Sequence, residues 1–351
     1  MEKYIGLDVH ATSCTAAVVN GHGKRLGSHV IETNGAALIG FLRSQAGTIH
    51  VCMEEGTQST WLVEILSPYV ERVVVTHVSE SHGQKSDEHD AFNLAERLRT
   101  GALETSVFKQ VGRFGKLRHL VRAHAMIVQD AARAQQRLKA LFRSRGVQVA
   151  GKSMYNATRR AEYLRALPES VRGAAELLFS QCDAIAPIRD RAHQELVAES
   201  HRHPETRWLE SCPGVGEIRA AQIAAMVVTP DRFRTRQQFW SYCGLGIVMR
   251  SSSDWVQTAQ GKWARAQVAQ TRGLNHDYNH VLKCVFKGAA TTVLQIQSND
   301  EPLRAAYERM LAGGTKPNLA KVTLARKLAA ITLALWKKKE VYDPAKWTKT
   351  S

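Results

Sequence analysis

Four acidic residues stand where a layered α/β protein can gather them. "KSDEHDAFNLAERL" (residues 85–98) reads as the start of an amphipathic helix, with Asp87 and Asp90 three residues apart. Such positions are surface neighbours, with Cβ atoms roughly 5–6 Å apart, so the carboxylates repel unless a cation lies between them. A helix start also welcomes acids through its dipole, and alone the pair signifies no more than a solvated first turn. Two further placements add to it. Asp8 closes the apolar run "KYIGLDV" and Glu54 closes "IHVCME", both readable as strands that lead their last side chains to a sheet's carboxyl edge. Carboxylates are hard ligands suited to Mg2+ or Mn2+. Two such ions about 3.5–4 Å apart can clamp a phosphodiester and activate its attacker. His10 and His89 lie near these acids but lack zinc spacing.

The elements that must position these acids follow from the same stretch. "SCTAAVVN", the turn signal "GHGK" and "RLGSHVIET" continue the first strand as an antiparallel meander. Asn34 caps a helix over "GAALIGFLRSQ". A strand, a helix ("TWLVEILSPYV") and another strand ("RVVVTHV") lead to the Asp87 helix. Strands alternating with helices imply an α/β layer structure around a central sheet.

The pattern then changes. From Gly112 to about Gly146, apolar residues recur at helical spacing among many arginines, and a second long helix is expected from Ser170 to Ser200 after Pro168. The two suggest an α-hairpin or coiled-coil arm. Near Trp208 a compact helical region begins. In its "LESCPGVGEIRAAQIAA", Gly214 and Gly216 give either a plain turn or a helix-hairpin-helix element whose backbone amides meet a phosphate. "LAKVTLARKLAAITLALWKKKE" is expected to be an amphipathic closing helix.

Charge identifies the partner class. The chain has 351 residues and a net charge of +16. Residues 1–105 carry 8 Lys/Arg and 13 Asp/Glu, which leaves 40 basic and 19 acidic residues for the remainder. A rear of net +21 suits a polyanion, since each neutralised phosphate releases counterions. The six cysteines form no CxxC pair, which argues against a zinc module or disulfide framework and fits a reducing cytoplasm. No apolar run reaches the ~18 residues of a membrane span, and the N-terminus lacks a signal-peptide layout.

The order of strand Asp, strand Glu and helical DxxD resembles the DEDD transposases of the insertion sequence 110 family. Asp8 in "YIGLDVH", Glu54 in "VCMEEGTQSTW", and Asp87 and Asp90 match that family's four acids. The stretch "LESCPGVGEIRAAQIAAMVVTPDRFRTRQQFWSYCGLGIVMRSSSDW" is similar to its C-terminal transposase domain. The resemblance implies an α/β N-terminal domain of RuvC-like ribonuclease H fold (residues 1–108). A long α-helical coiled-coil connector (109–203) and a mainly α-helical C-terminal domain with a helix-hairpin-helix-like element (204–351) follow. The family has Ala-Thr-Gly after its glutamate, whereas Glu55-Gly56-Thr57 follow Glu54, leaving Glu55 a rival ligand.

The resemblance also implies a serine that attacks DNA and forms a covalent phosphoserine link. Family spacing from Gly244 places it at Ser252 in "RSSSDW"; Ser251 and Ser253 remain alternatives because the usual following glycine is missing. A serine hydroxyl needs a base or metal to activate it, and no local histidine offers one. Arg250 and Arg272 are candidates to steady charge on the phosphate.

The expected function is that of a DNA recombinase of a mobile element, bound to donor and target DNA. The family implies guidance by a noncoding RNA, and joining several strand ends implies a homodimer or homotetramer. Two other readings stay open: a RuvC-like nuclease that resolves branched DNA with metal-activated water, and a non-catalytic nucleic-acid-binding protein.

Overall fold

A computed structural model of the chain describes residues 1–77, 86–103, 112–151, 153–248, 255–265, 273–274, 277–296 and 301–348. The chain divides into two compact units, Met1–Gln110 and Val111–Ser351.

In the first unit, strands β1 (Glu2–Val9), β2 (Ser13–Asn20) and β3 (Arg25–Glu32) precede helix α1 (Gly35–Ser44). Strand β4 (Thr48–Glu54), helix α2 (Ser59–Leu66), strand β5 (Arg72–Thr76) and helix α3 (Asp87–Arg99) follow. The five strands form one sheet in the order β3-β2-β1-β4-β5. The first three make the expected antiparallel meander, whereas β4 pairs parallel with β1 and β5 parallel with β4. This mixed sheet, with helices on both faces, is ribonuclease H-like. Asn34 caps α1 as its sequence predicts, its side chain accepting a hydrogen bond from the Ala37 amide at 2.8 Å.

Alternation along the central strands sorts their side chains. Ile5, Leu7, Val51 and Met53 pack with Leu38, Leu42, Leu62 and Leu66 of α1 and α2. On the other face, Cys52 and Val74 meet Leu94 and Leu98 of α3, while Ala17 and Val19 meet Ala91, Phe92 and Ala95. Both faces being covered explains why the β1 and β4 sequences read as nearly continuous apolar runs.

The second unit begins with a helical hairpin. Helix α4 (Gly115–Arg143) and helix α6 (Glu169–Ser200) are joined through short turns and α5 (Arg160–Arg165). Aromatic contacts give their sense: Phe142 meets Phe179, and His124 meets His193. Phe114, just before α4, stacks on His203, just after α6. Rising positions on one helix meet falling positions on the other, so the pair is antiparallel.

Then come α7 (Pro204–Glu210), α8 (Glu217–Val227), α9 (Arg236–Tyr242), a two-stranded hairpin of β6 (Trp255–Gln257) and β7 (Trp263–Arg265), and α10 (His280–Ile296). Helices α11 (Pro302–Ala312), α12 (Pro317–Lys338) and α13 (Pro344–Thr348) complete a mainly helical unit. The closing helix α12 is amphipathic, as its sequence predicts, with a broad buried face. Leu324, Leu328, Ile331, Thr332 and Leu335 are buried along this face, while Arg326, Lys327, Ala330 and Lys337 on the opposite side are not. It is the central core helix of this unit. Among the described residues, no helix is long and apolar enough to cross a membrane.

Candidate functional site

Strand register brings the first two acids together. The parallel pairing of β1 with β4 ends at Leu7 opposite Met53, so Asp8 and Glu54 are the next residue on each strand. Neighbouring strands lie about 4.8 Å apart, and alternation turns both carboxylates to the face that α3 covers. Both line a cleft of about 240 Å³ at the carboxyl ends of these strands, together with His10, Glu55 and Ser59. The loop after Glu54 is pinned. The Glu55 amide donates to the Thr76 carbonyl at 2.7 Å, and the Gly56 amide donates to Ser59 Oγ at 2.7 Å. Glu55 is exposed, with His77 Nδ1 at 4.0 Å from its carboxylate.

The third and fourth acids arrive on α3, whose position Gly6 determines. A Cβ built on Gly6 would stand 2.0 Å from the Ala91 carbonyl oxygen and 2.7 Å from the Ala95 amide nitrogen. Only a glycine lets the helix backbone approach so closely. Asp8 is two residues beyond Gly6, about 7 Å along a strand, and Asp87 is four residues before Ala91, about 6 Å along a helix. The helix start therefore falls beside the strand end. Cys52 Sγ donates to the Leu94 carbonyl at 3.3 Å, and Ser28 Oγ of β3 donates to Glu88 at 2.8 Å, holding both ends of the approach. Ser86 caps α3 by accepting from the His89 amide.

The resulting cluster is acidic with one imidazole inside it. His10 Nε2 lies 3.2 Å from Asp8 Oδ2 and 3.5 Å from Asp87 Oδ2, and a ligand atom from each of the three residues falls within 4.8 Å of the others. Burial pushes the Asp8 carboxyl above its ordinary range; His10 opposes this, while the Asp87 and Asp90 charges add to it. Asp90, partly buried one turn into α3, belongs to this field without joining the three-residue contact. Carboxylates that repel one another beside an open cleft fit a divalent cation, and the donors are mostly hard oxygens.

His10 is the residue that sequence reasoning passed over. Testing it against zinc spacing rejected it, but its i+2 relation to Asp8 was the signal that it returns to the same side of the chain.

In the second unit, Gly214 and Gly216 have different surroundings. Gly214 has φ +76°, and a Cβ there would meet the Ala289 carbonyl oxygen of α10 at 2.4 Å. Arg219 Nη1 donates to the Gly214 carbonyl at 2.7 Å and to Thr292 Oγ1 at 3.0 Å. The close approach at Gly214 is thus to a neighbouring helix. Gly216 is the N-cap of α8, with open space beside its Cα. Ser251, Ser252, Ser253, Arg250 and Arg272 lie outside the described residues.

A ribonuclease H-like sheet whose carboxyl edge gathers Asp8 and Glu54, with Asp87 brought alongside, defines a class: metal-dependent enzymes that cut nucleic acid. Residues 5–145 match the family model of a DEDD-type transposase of IS110, and residues 206–307 match that of the transposase IS116/IS110/IS902 family. The chain belongs to the IS110-family transposases. It is an enzyme that binds, cleaves and joins DNA, and its DEDD domain uses a divalent metal. No curated protein matches the chain at a significant level.

Proposed function

We propose that this protein moves an insertion sequence with two chemistries, a DEDD set made of Asp8, Glu54, Asp87 and Asp90 and a serine nucleophile at Ser252. What chiefly supports the acid set is the convergence of Asp8 and Asp87 on His10, from parts of the chain 79 residues apart. These carboxylates would hold Mg2+ or Mn2+, which supplies charge neutralisation at a scissile phosphate. The protein's own residues do the rest. Glu54 shares the cleft with Asp8, and His10 Nε2 stands between the Asp8 and Asp87 carboxylates, at 3.2 and 3.5 Å. The Ser252 hydroxyl attacks phosphorus and displaces a deoxyribose oxygen, conserving the phosphodiester energy for rejoining. Arg250 and Arg272 are assigned to the charge on that phosphate.

The reading extends to architecture and partners. Residues 1–108 act as a RuvC-like catalytic domain, 109–203 as a coiled-coil connector, and 204–351 as the transposase domain. The antiparallel α4–α6 pair supports the connector, and the open N-terminus of α8 at Gly216 supports a helix-hairpin-helix-like phosphate contact. A noncoding RNA would supply target choice, leaving the +21 rear to grip RNA and DNA backbones. A homodimer or homotetramer acting in the cytoplasm completes the proposal.

The test is a covalent trap. Incubated with Mg2+, guide RNA and donor DNA, the wild type should give a protein–DNA adduct stable to denaturant. Ser252→Ala should lose it, while Ser251→Ala and Ser253→Ala keep it. Cleavage without any adduct would assign the chain instead to metal-activated hydrolysis.

A further inference from the structure

The β6–β7 hairpin is an exposed element with an unusual surface. Its turn is closed by the Thr258 amide donating to the Lys262 carbonyl at 2.8 Å and the Gly261 amide donating to the Thr258 carbonyl at 2.8 Å. Register pairs Trp255 with Arg265, Val256 with Ala264, and Gln257 with Trp263. Positions 255, 257, 263 and 265 therefore share one face, and the two tryptophans are diagonal neighbours on it. Trp255 is 58% exposed, Trp263 64% and Val256 48%. Two-stranded ribbons this short are marginal in water, and large apolar side chains exposed together mark a binding surface.

The charge of the sequence flanking the hairpin selects the occupant. Residues 236–299 contain seven Lys/Arg and two Asp, with no Glu, and Lys262 is exposed beside Trp263. A protein partner seated on these exposed tryptophans would not need this excess of cations; a polyanion with flat aromatic faces meets both features. Bases offer such faces only when unstacked, as they are in a strand opened for cutting and joining. A duplex hides them.

We propose that this hairpin is a stacking platform for unpaired bases of the DNA that the transposase opens, with Trp255 and Trp263 each taking a base and Lys262 an adjacent phosphate. Tryptophan supplies sequence-tolerant affinity, so the platform holds a melted strand without reading it. The inference uses the DNA-joining activity and does not depend on which serine attacks.

Binding of the full chain to a labelled single-stranded DNA and to the matching duplex, followed by anisotropy at fixed salt, tests it. Trp255→Ala and Trp263→Ala should each weaken single-strand binding about tenfold or more, leaving duplex binding within about twofold. Trp263→Tyr should restore most of the single-strand affinity, and Lys262→Ala should lower the salt slope by about one. Unchanged single-strand affinity in both alanine variants overturns the proposal. So does an equal loss for duplex and single strand, or a loss seen only with RNA of the same sequence. A change of oligomeric state with single-strand binding intact would assign the hairpin to a second copy of the chain and likewise overturn it.

Discussion

Gly6 of β1 and Ala91 of α3 touch backbone to backbone: a Cβ on the glycine would fall 2.0 Å from the alanine's carbonyl oxygen. No side chain fits there, and the strand end carrying Asp8 sits beside the helix start carrying Asp87 because of it.

Gly6→Ala should accordingly destabilise the first unit by about 2–3 kcal/mol, as overpacked cores do. It should also remove DNA cleavage, since α3 can relieve the clash only by withdrawing its acids. Urea unfolding together with a Mg2+-dependent cleavage assay checks this. A stable, fully active alanine variant would show that the approach does not position the site.

Metal should stabilise the protein through the acids. Millimolar Mg2+ or Mn2+ is expected to raise the melting temperature of the wild type, because a ligand that binds only the folded state shifts unfolding by mass action. Asp8→Asn and Asp87→Asn should lose that rise and more than about 100-fold in cleavage, a larger effect than loss of an outer contact. Without metal, each variant should stay within about 0.5 kcal/mol of wild type, because each relieves repulsion. Equal metal-induced shifts in wild type and variants would place the ion elsewhere.

The base of the helical hairpin should be acid-sensitive. His203 is buried against Phe114, with Glu199 Oε1 3.6 Å from its Nε2. Its burial pulls the imidazole below the ordinary 6.5, so the folded state binds its proton less readily than the unfolded chain. Stability should therefore fall as pH drops below about 6.5 toward the lower folded value. His203→Gln should flatten the dependence of the urea midpoint in this window. Glu199, held low by Lys116 at 2.9 Å, is expected to contribute a separate loss below its ordinary 4.5 that the variant retains. Parallel midpoint curves for both proteins between pH 7.5 and 5 would contradict the assignment.

At the end of α12, Lys339 adopts the left-handed conformation, φ 56°, which disfavours a side chain. Lys339→Gly should stabilise the second unit by about 0.5–1 kcal/mol through a better helix cap. Thermal unfolding at neutral pH reads this directly. A lower melting temperature would mean that the lysine side chain contributes more than the backbone costs.

Much of this was local enough to read from sequence. Apolar runs ending in Asp8 and Glu54, the Asn34 cap, the Asp87 helix start and the paired long helices each follow from periodicity or a cap within a few residues. The imidazole of His10 and the function of Gly6 were not local in this sense. Knowing that His10 meets Asp87, or that Gly6 must be bare, requires knowing which helix crosses which strand. The same holds for Gly214, whose close neighbour in α10 lies 75 residues later. The apolar face of α12, by contrast, follows from helical spacing alone, with Arg326, Lys327 and Lys337 on the opposite side. The β6–β7 hairpin, with three residues per strand, is too short for alternation to register.

The sequence by itself determined the types of chemistry available: carboxylates at strand ends, a helical acid pair, serines in a basic segment, and the polyanion the charge invites. Only tertiary structure decided which of them meet. Contacts across a sheet depend on register and on the distance at which a helix lies over it, and both are properties of packing between segments that the local pattern of neither one contains.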